Sequence, residues 1–368
     1  MKTYHAESAR AGLEAAADAG LAWDDFCRVT AELLERAIPH DSICIGTADP
    51  ATNLLTGAVL LDMEHADENE FVQYEYGVPD FNHYIDLARR PVSVSILAEA
   101  TEGRPDRSRR YREYLSKVDL PHEMRGVIRS GDRMWGVCTL YRTSGRTGFS
   151  PAEADFVNRL EPILARGLRR GLIAGEVRQK QQRAATAVLI LDGADRVISA
   201  TEAAEERIKE LGGELWSRLP LPVATVVAAA RRVPALADRL PEMRIRTRNG
   251  EWLTVNAAPV RGRDGLTTDI AVTIETAGAA DIIPLVVAAY GLTDRERTVV
   301  QQVLGGASTT EIAQRLHLSP YTIQDHLKAI FEKVGVSSRR ELSSRIFFGH
   351  YAGRLGQDLD ANGWFSED

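Results

Sequence analysis

Glu311-Ile312-Ala313-Gln314-Arg315-Leu316, then His317-Leu318-Ser319, then Pro320-Tyr321-Thr322-Ile323-Gln324-Asp325-His326-Leu327, decides how the last part of this chain folds. Read by period, it is a helix, a tight turn and a second helix. Ile312, Ala313, Leu316, Ile323, Leu327 and Ile330 recur at helical spacing and form apolar stripes. The helix starts are marked. Thr293 with Glu296, Ser308 with Glu311 and Ser338 with Glu341 have the spacing of a capping box. In such a box the hydroxyl accepts the N–H three residues on and the carboxylate reaches back to the cap. Ser319-Pro320 adds a further start, with proline at the first helical position, where its missing N–H is not needed. Ordered starts between Leu292 and Phe348 predict an all-α, tetrahelical domain.

Leu292-Thr293-x-Arg295-Glu296, Glu311-Ile312-Ala313, Thr322-Ile323-x-x-His326-Leu327 and Lys333-x-Gly335-Val336 resemble the LuxR-type helix-turn-helix family. The resemblance covers the last domain only, under a fifth of the chain. It implies a bacterial transcription regulator that binds double-stranded DNA as a homodimer, with the fourth helix serving the dimer contact and RNA polymerase as a partner. The DNA-binding residues expected on it are Thr309, Ser319, Tyr321, Thr322, Gln324, Asp325, Lys328 and Lys333. The chain departs from the family at one place. Where a basic residue commonly follows the Thr-Val/Ile pair, Gln324 and Asp325 stand, which implies a different base preference.

Helical geometry sorts the second helix of the motif into faces. Ile323, Leu327 and Ile330 turn toward the core, so Tyr321, Gln324, Asp325 and Lys328 project from the opposite side. A major groove admits such a helix. There Gln324 can bond adenine, Asp325 can accept from cytosine, and Lys328 can reach guanine or a phosphate. The plainer alternative for Asp325 is a pair with a neighbouring Lys or Arg. His326 is expected to pack or to touch phosphate. Between Leu292 and Phe348 eight basic residues outnumber six acidic ones, for a net +2, whereas the whole chain carries −7. Non-specific affinity scales with the phosphates neutralised, so a head this close to neutral needs a second copy for useful affinity.

The rest of the chain, 368 residues in all, has room for two or three domains with real cores. No apolar run approaches a membrane span and no charged-then-apolar leader opens it, so a cytoplasmic protein without a membrane partner is expected. Cys27, Cys44 and Cys138 are odd in number and far apart, which points to reduced, buried thiols; a reactive-thiol sensor is the alternative. No Cys/His cluster has zinc spacing.

Residues 1–175 read as an α/β sensor. A helix around Phe26–Ile38 precedes strands at Ser42–Gly46 and Leu54–Leu61. A long stretch follows, with His83, Tyr84 and the arginine-rich Arg104–Arg110. Arg125–Arg129, a turn at Gly131-Asp132, and Trp135–Tyr141 then form a hairpin. That order resembles a GAF domain, without a cyclic-nucleotide signature. Ser150-Pro151-x-Glu153 opens a long helix whose stripe, Phe156, Leu160, Ile163, Leu164, Leu168 and Leu172, reads either as packing on the sensor's own sheet or, extended through Glu176–Arg183, as a dimer stalk. Residues 184–276 restart the α/β pattern. Strands are expected at Ala187–Asp192, Arg196–Ile198, Met243–Thr247, Trp252–Ala257 and Ile270–Ile274, with Asn249-Gly250 as a hairpin turn. This resembles a PAS domain, except that Thr201 stands where asparagine is often found. Tyr84, Trp135 and Trp252 are the candidate ligand-binding residues, with Trp216 a further pocket or core aromatic. A small-residue break at Ala277–Ala279 leads to the head (285–350), and residues 351–368 read as an acidic tail.

The expected fold class is therefore α/β (α+β) multidomain: a GAF-like sensor, a PAS-like sensor and the helical head. No nucleophile elbow, phosphate loop, dinucleotide fingerprint or metal-ligand helix is present, so no enzyme is expected. No cofactor is evident; an unknown small-molecule effector is the expected ligand. The rival reading is a signalling adaptor that docks a protein through Tyr321, Phe331, Phe347 and Phe348.

Overall fold

A computed structural model of the chain describes residues 3–63, 68–174, 185–232, 241–247, 249–263 and 265–347. They divide into two compact units, one holding two sheets with their helices, the other the helices from Ala279 onward.

The first module begins with α1 (Thr3–Asp18) and α2 (Trp23–Ala37), then β1 (Ser42–Ala48) and β2 (Leu55–Leu61). The long variable stretch becomes α3 (Glu68–Val72), a π-helical turn (Gln73–Gly77), α4 (Tyr84–Arg89), β3 (Val94–Ile96) and α5 (Leu97–Ala100). β4 (His122–Ser130), β5 (Arg133–Arg142) and α6 (Pro151–Ile173) close it. The strands lie in the order β2-β1-β5-β4-β3, each pair antiparallel. Successive side chains alternate between faces. Ile43, Ile45, Met124, Ile128, Cys138 and Leu140 go to one face, in a core shared with α2 and α6. The other face carries Cys44, Glu123, Arg125, Thr139 and Tyr141, all buried although most are polar.

The stripe of α6 is buried in this core, where the helix lies against α1, α2 and β4. Its packing is close: a Cβ on Gly167 would collide with the Phe26 ring. The reading in which the stripe covers its own sheet therefore accounts for residues 151–173; Glu176–Arg183 lies outside the described residues. Ser150 and Glu153 cap the helix as expected, and Glu153 also accepts from Arg142 Nη2 at 2.7 Å.

The second module runs β6 (Ala187–Leu191), β7 (Val197–Ala200), α7 (Glu202–Glu210), α8 (Leu221–Arg232), β8 (Glu242–Arg246), β9 (Trp252–Gly262) and β10 (Gly265–Thr276). Its order, β7-β6-β10-β9-β8, repeats that of the first sheet strand for strand. The sequence reading lacked α8. Its residues from Leu221 to Ala230 are buried nearly all round, so it shows no polar face and no helical period. α8 lies against β8, β9 and β10 and also against β2, α3 and the π-helical turn. Val223, Val226 and Val227 consequently join Leu55, Val72 and Tyr76 of the first module in one apolar cluster. Beside it, Asp49 accepts from Arg244 Nε at 2.9 Å, from Nη2 at 2.6 Å and from the Arg244 backbone N–H at 2.8 Å.

Trp216, expected in a pocket or core, is 67% exposed, because it sits in the short loop bridged by Glu214 and Arg218. Trp135 and Trp252 are buried. The three cysteines are buried and form no disulfide, and burial pushes the Cys138 thiol up to about 12, which favours the packing reading over a reactive one. Among the described residues no helix is long and apolar enough to cross a membrane, and no His/Cys/Asp/Glu group could hold a metal.

Asp49→Ala leaves Arg244 facing a buried site without its main acceptor. We expect a loss of about 3 kcal/mol, the lower end for breaking a buried pair. Chemical denaturation measures the loss, and faster hydrogen exchange in α8 and β8 locates it.

Candidate nucleic-acid interface

The second unit is built of α9 (Ala279–Ala289), α10 (Asp294–Leu304), α11 (Thr309–Leu316), α12 (Pro320–Val334) and α13 (Arg339–Phe347). Thr293 Oγ1 accepts the Glu296 N–H at 3.3 Å and Glu296 accepts the Thr293 N–H at 2.6 Å. Ser308 and Glu311 make the same box at 3.2 and 2.7 Å. Ser319 accepts the Thr322 N–H at 3.0 Å, with Pro320 at the first helical position. The last box is shifted. Ser338 accepts the Glu341 N–H, but the Glu341 carboxylate takes the Ser337 N–H instead. Between α11 and α12 the chain turns at His317, which adopts the left-handed region at φ 54°. Ile312, Ala313, Ile323, Leu327 and Ile330 are buried between the helices, while Leu316 is half-buried.

The opposite side of α12 faces outward. Tyr321 is 73% exposed, and Gln324, Asp325 and Lys328 are exposed too. Among the described residues none of these last three has a hydrogen-bond or ion-pair partner, so the neighbouring cation considered for Asp325 is not there. The other expected contact residues are tied into the fold. The Thr322 hydroxyl lies 2.8 Å from that of Ser319, and Thr309 Oγ1 accepts from Arg339 Nη1 at 3.3 Å. Lys333 Nζ donates to both oxygens of Glu296 at 2.7 Å, which braces α12 against α10. Burial acts to raise the Glu296 carboxyl, but the Lys333 ammonium and the Thr293 hydrogen bonds outweigh it and hold the group below the usual carboxylate range.

The cations divide in the same way. Arg297 pairs with Asp294, Arg315 reaches Gln302 at 2.6 Å, and Arg339 reaches the Ala307 carbonyl at 2.6 Å. Arg295, Arg340 and Arg345 join Lys328 as cations with neither a hydrogen bond nor an ion pair among the described residues. In the sequence these arginines register only as charge, and no spacing distinguishes them from the structural ones. Of the aromatic docking face in the rival reading, Phe331 packs against the head's own core. Phe348 and the Phe347 side chain lie outside the described residues, which leaves Tyr321.

A helix-turn-helix whose second helix presents unpaired donors and an acceptor is the working part of a DNA-binding protein. Residues 291–345 match the family model of "Bacterial regulatory proteins, luxR family". The transcriptional regulatory protein UhpA of Salmonella typhimurium is 35% identical over 144 residues, 38% of this chain and 68% of that protein. UhpA of Escherichia coli is 33% identical over the same length. The chain belongs to the luxR family of bacterial regulatory proteins and is a DNA-binding transcriptional regulator. Among solved structures, the Vibrio cholerae VqmA–ligand–DNA complex is 20% identical over 45% of this chain and 83% of that one, with a TM-score of 0.24. A GAF domain from an Acinetobacter phosphoenolpyruvate-protein phosphotransferase is 13% identical over 46% of this chain and 94% of that one, with a TM-score of 0.29. At such scores these likenesses carry no argument here.

The depressed Glu296 carboxyl makes the head sensitive to acid. Its ionised form contributes stability that is complete above the unfolded-state value of about 4.3 and is lost as pH falls through the lower folded value. Hydrogen exchange of α10 and α12 between about pH 3 and pH 7 should show this loss in the native chain and a flatter acid limb in Glu296→Gln.

Proposed function

We propose that this chain is a sequence-specific, ligand-responsive regulator that acts as a homodimer. In this reading residues 1–175 are a GAF-like sensor, 184–276 a PAS-like sensor, 285–350 the DNA-binding head and 351–368 an acidic tail. The repeated strand order of the two sheets supports the pairing of sensor modules. The observation that carries the proposal is α12, with Gln324, Asp325 and Lys328 exposed and unpaired among the described residues. Gln324 suits adenine, Asp325 the cytosine amino group, and Lys328 guanine or a phosphate. Thr309, Ser319, Tyr321 and Thr322 stand at two helix N-termini, where backbone N–H groups and hydroxyls suit phosphate oxygens. Lys333, with its charge spent on Glu296, would place the reading helix rather than touch DNA.

Dimerisation follows from charge. A head of net +2 neutralises few phosphates, and two heads on half-sites one groove spacing apart supply the missing affinity. A small molecule in the sheet unit would change how the two heads are placed, and RNA polymerase would be the partner downstream. Tyr84, Trp135 and Trp252 remain the candidate ligand contacts.

Gel shifts on genomic fragments test the reading, and the absence of any preferred fragment would end it. On a selected operator, Gln324→Ala and Lys328→Ala should each cost about 1–3 kcal/mol, roughly fivefold to 150-fold in affinity. Gln324→Ala should relax the preference at one base pair. If Lys328 meets a phosphate, its alanine variant lowers the salt slope by about one unit instead.

A further inference from the structure

The polar face of the first sheet carries a buried cluster of charged side chains, called the chamber below. Arg110 donates from Nε and Nη2 to Glu123 at 3.1 and 2.7 Å, and Arg125 donates from Nη2 to Glu75 at 2.7 Å. Asp80 lies 3.9 Å from Arg110 Nη1 and accepts its backbone N–H at 2.6 Å. The Arg125 guanidinium rests 3.8 Å from the centre of the Tyr84 ring. Both arginines are 0% exposed.

The chamber is short of acceptors. Among the described residues Nε and Nη1 of Arg125 have no hydrogen-bond partner, nor do Arg110 Nη1, Asn82 Nδ2 and His83 Nδ1. No carboxylate oxygen is among the buried unpartnered atoms of the described residues. A buried charged N–H left unmet is costly, so native proteins rarely keep one without a water, ion or ligand to accept it. The charge balance then selects among guests. Two guanidinium groups already face the three carboxylates of Glu75, Asp80 and Glu123. The His83 ring, 3.8 Å from Glu75, adds no charge because its Nε2 accepts the Asp80 N–H. An anion would therefore add to an excess of negative charge where little water screens it. Nε and Nη1 point from different edges of the guanidinium fork, so two acceptor atoms are needed.

We propose that this chamber binds a small uncharged molecule that presents two acceptor atoms, carbonyl oxygens above all, to Nε and Nη1 of Arg125. The inference rests on the ligand-responsive reading and gives it a site and a chemical class. Tyr84 is the floor under the guanidinium, and Glu75 is the counter-charge that holds the fork in place.

Thermal unfolding of the full chain with two matched pairs of probes tests it: succinimide against succinate, and uracil against orotate. The neutral member of at least one pair should raise the melting temperature by about 3 °C at ten times its dissociation constant, and the anions should not. Arg125→Lys, which keeps the charge and loses the fork, should abolish the shift. So should Glu75→Leu/Arg125→Met, with each variant's circular dichroism and operator binding unchanged as the check of folding. A shift by the anions, the same shift in the variants, or none from any probe overturns the assignment, the last leaving the chamber to water. The underlying reading is tested separately by operator binding with a small-molecule extract of bacterial cells. An effect that persists in Arg125→Lys sinks this site alone. No effect on the native chain sinks ligand response itself.

Discussion

One carboxylate sets the geometry on which the reading head depends. Glu296 closes the first turn of α10 by accepting the Thr293 N–H, and the same group holds Lys333 near the end of α12. The two jobs lock the start of one helix to the finish of another. Burial of Glu296 makes the arrangement stiff, because removing Lys333 leaves its carboxylate without a counter-charge away from water. The apolar contacts of Ile312, Ile323 and Ile330 supply most of the driving force but are not directional. The ion pair adds direction, and with it the angle at which Gln324, Asp325 and Lys328 leave the surface.

The sheet unit solves a different problem. Two sheets of the same strand order could each have formed a separate core, yet α8 is apolar on every side and serves both. Asp49 and Arg244 give this shared core a fixed register, as Glu296 and Lys333 do in the head. Glu75 sits in the π-helical turn that packs against α8, so the charged chamber and the second sheet meet across a single turn of chain. Such irregular turns recur at functional sites, since they re-aim a side chain without breaking the helix that carries it.

The polar chamber was not legible in the chain. Arg110 lay in what read as an arginine-rich loop, and His83 had no visible partner; both are buried, Arg110 on Glu123 and His83 accepting the Asp80 N–H through Nε2. Arg110 and Glu123 stand thirteen positions apart and Arg125 and Glu75 fifty, separations that leave no local spacing to find, and the His83–Asp80 contact lies in a loop without a period. β3 and α1 escaped for related reasons, the first too short for a period and the second a weakly amphipathic helix ahead of the strand pattern. Trp216 shows the converse error, an aromatic expected inside that lies at the surface.

By itself the sequence determined the helical head, its caps at Thr293, Ser308 and Ser319, the turn at His317 and the outward side of α12, together with most strands of both sheets. These are local: a cap spans three residues and a stripe repeats every three or four. Only the tertiary structure decided which cations were free to work. Lys328 and Lys333 lie five positions apart on one helix with the same charge, but folding brings Glu296 to the second and, among the described residues, no partner to the first. Ion pairs and shared cores depend on distances in space between residues remote in the chain, and no reading of neighbours in sequence contains them.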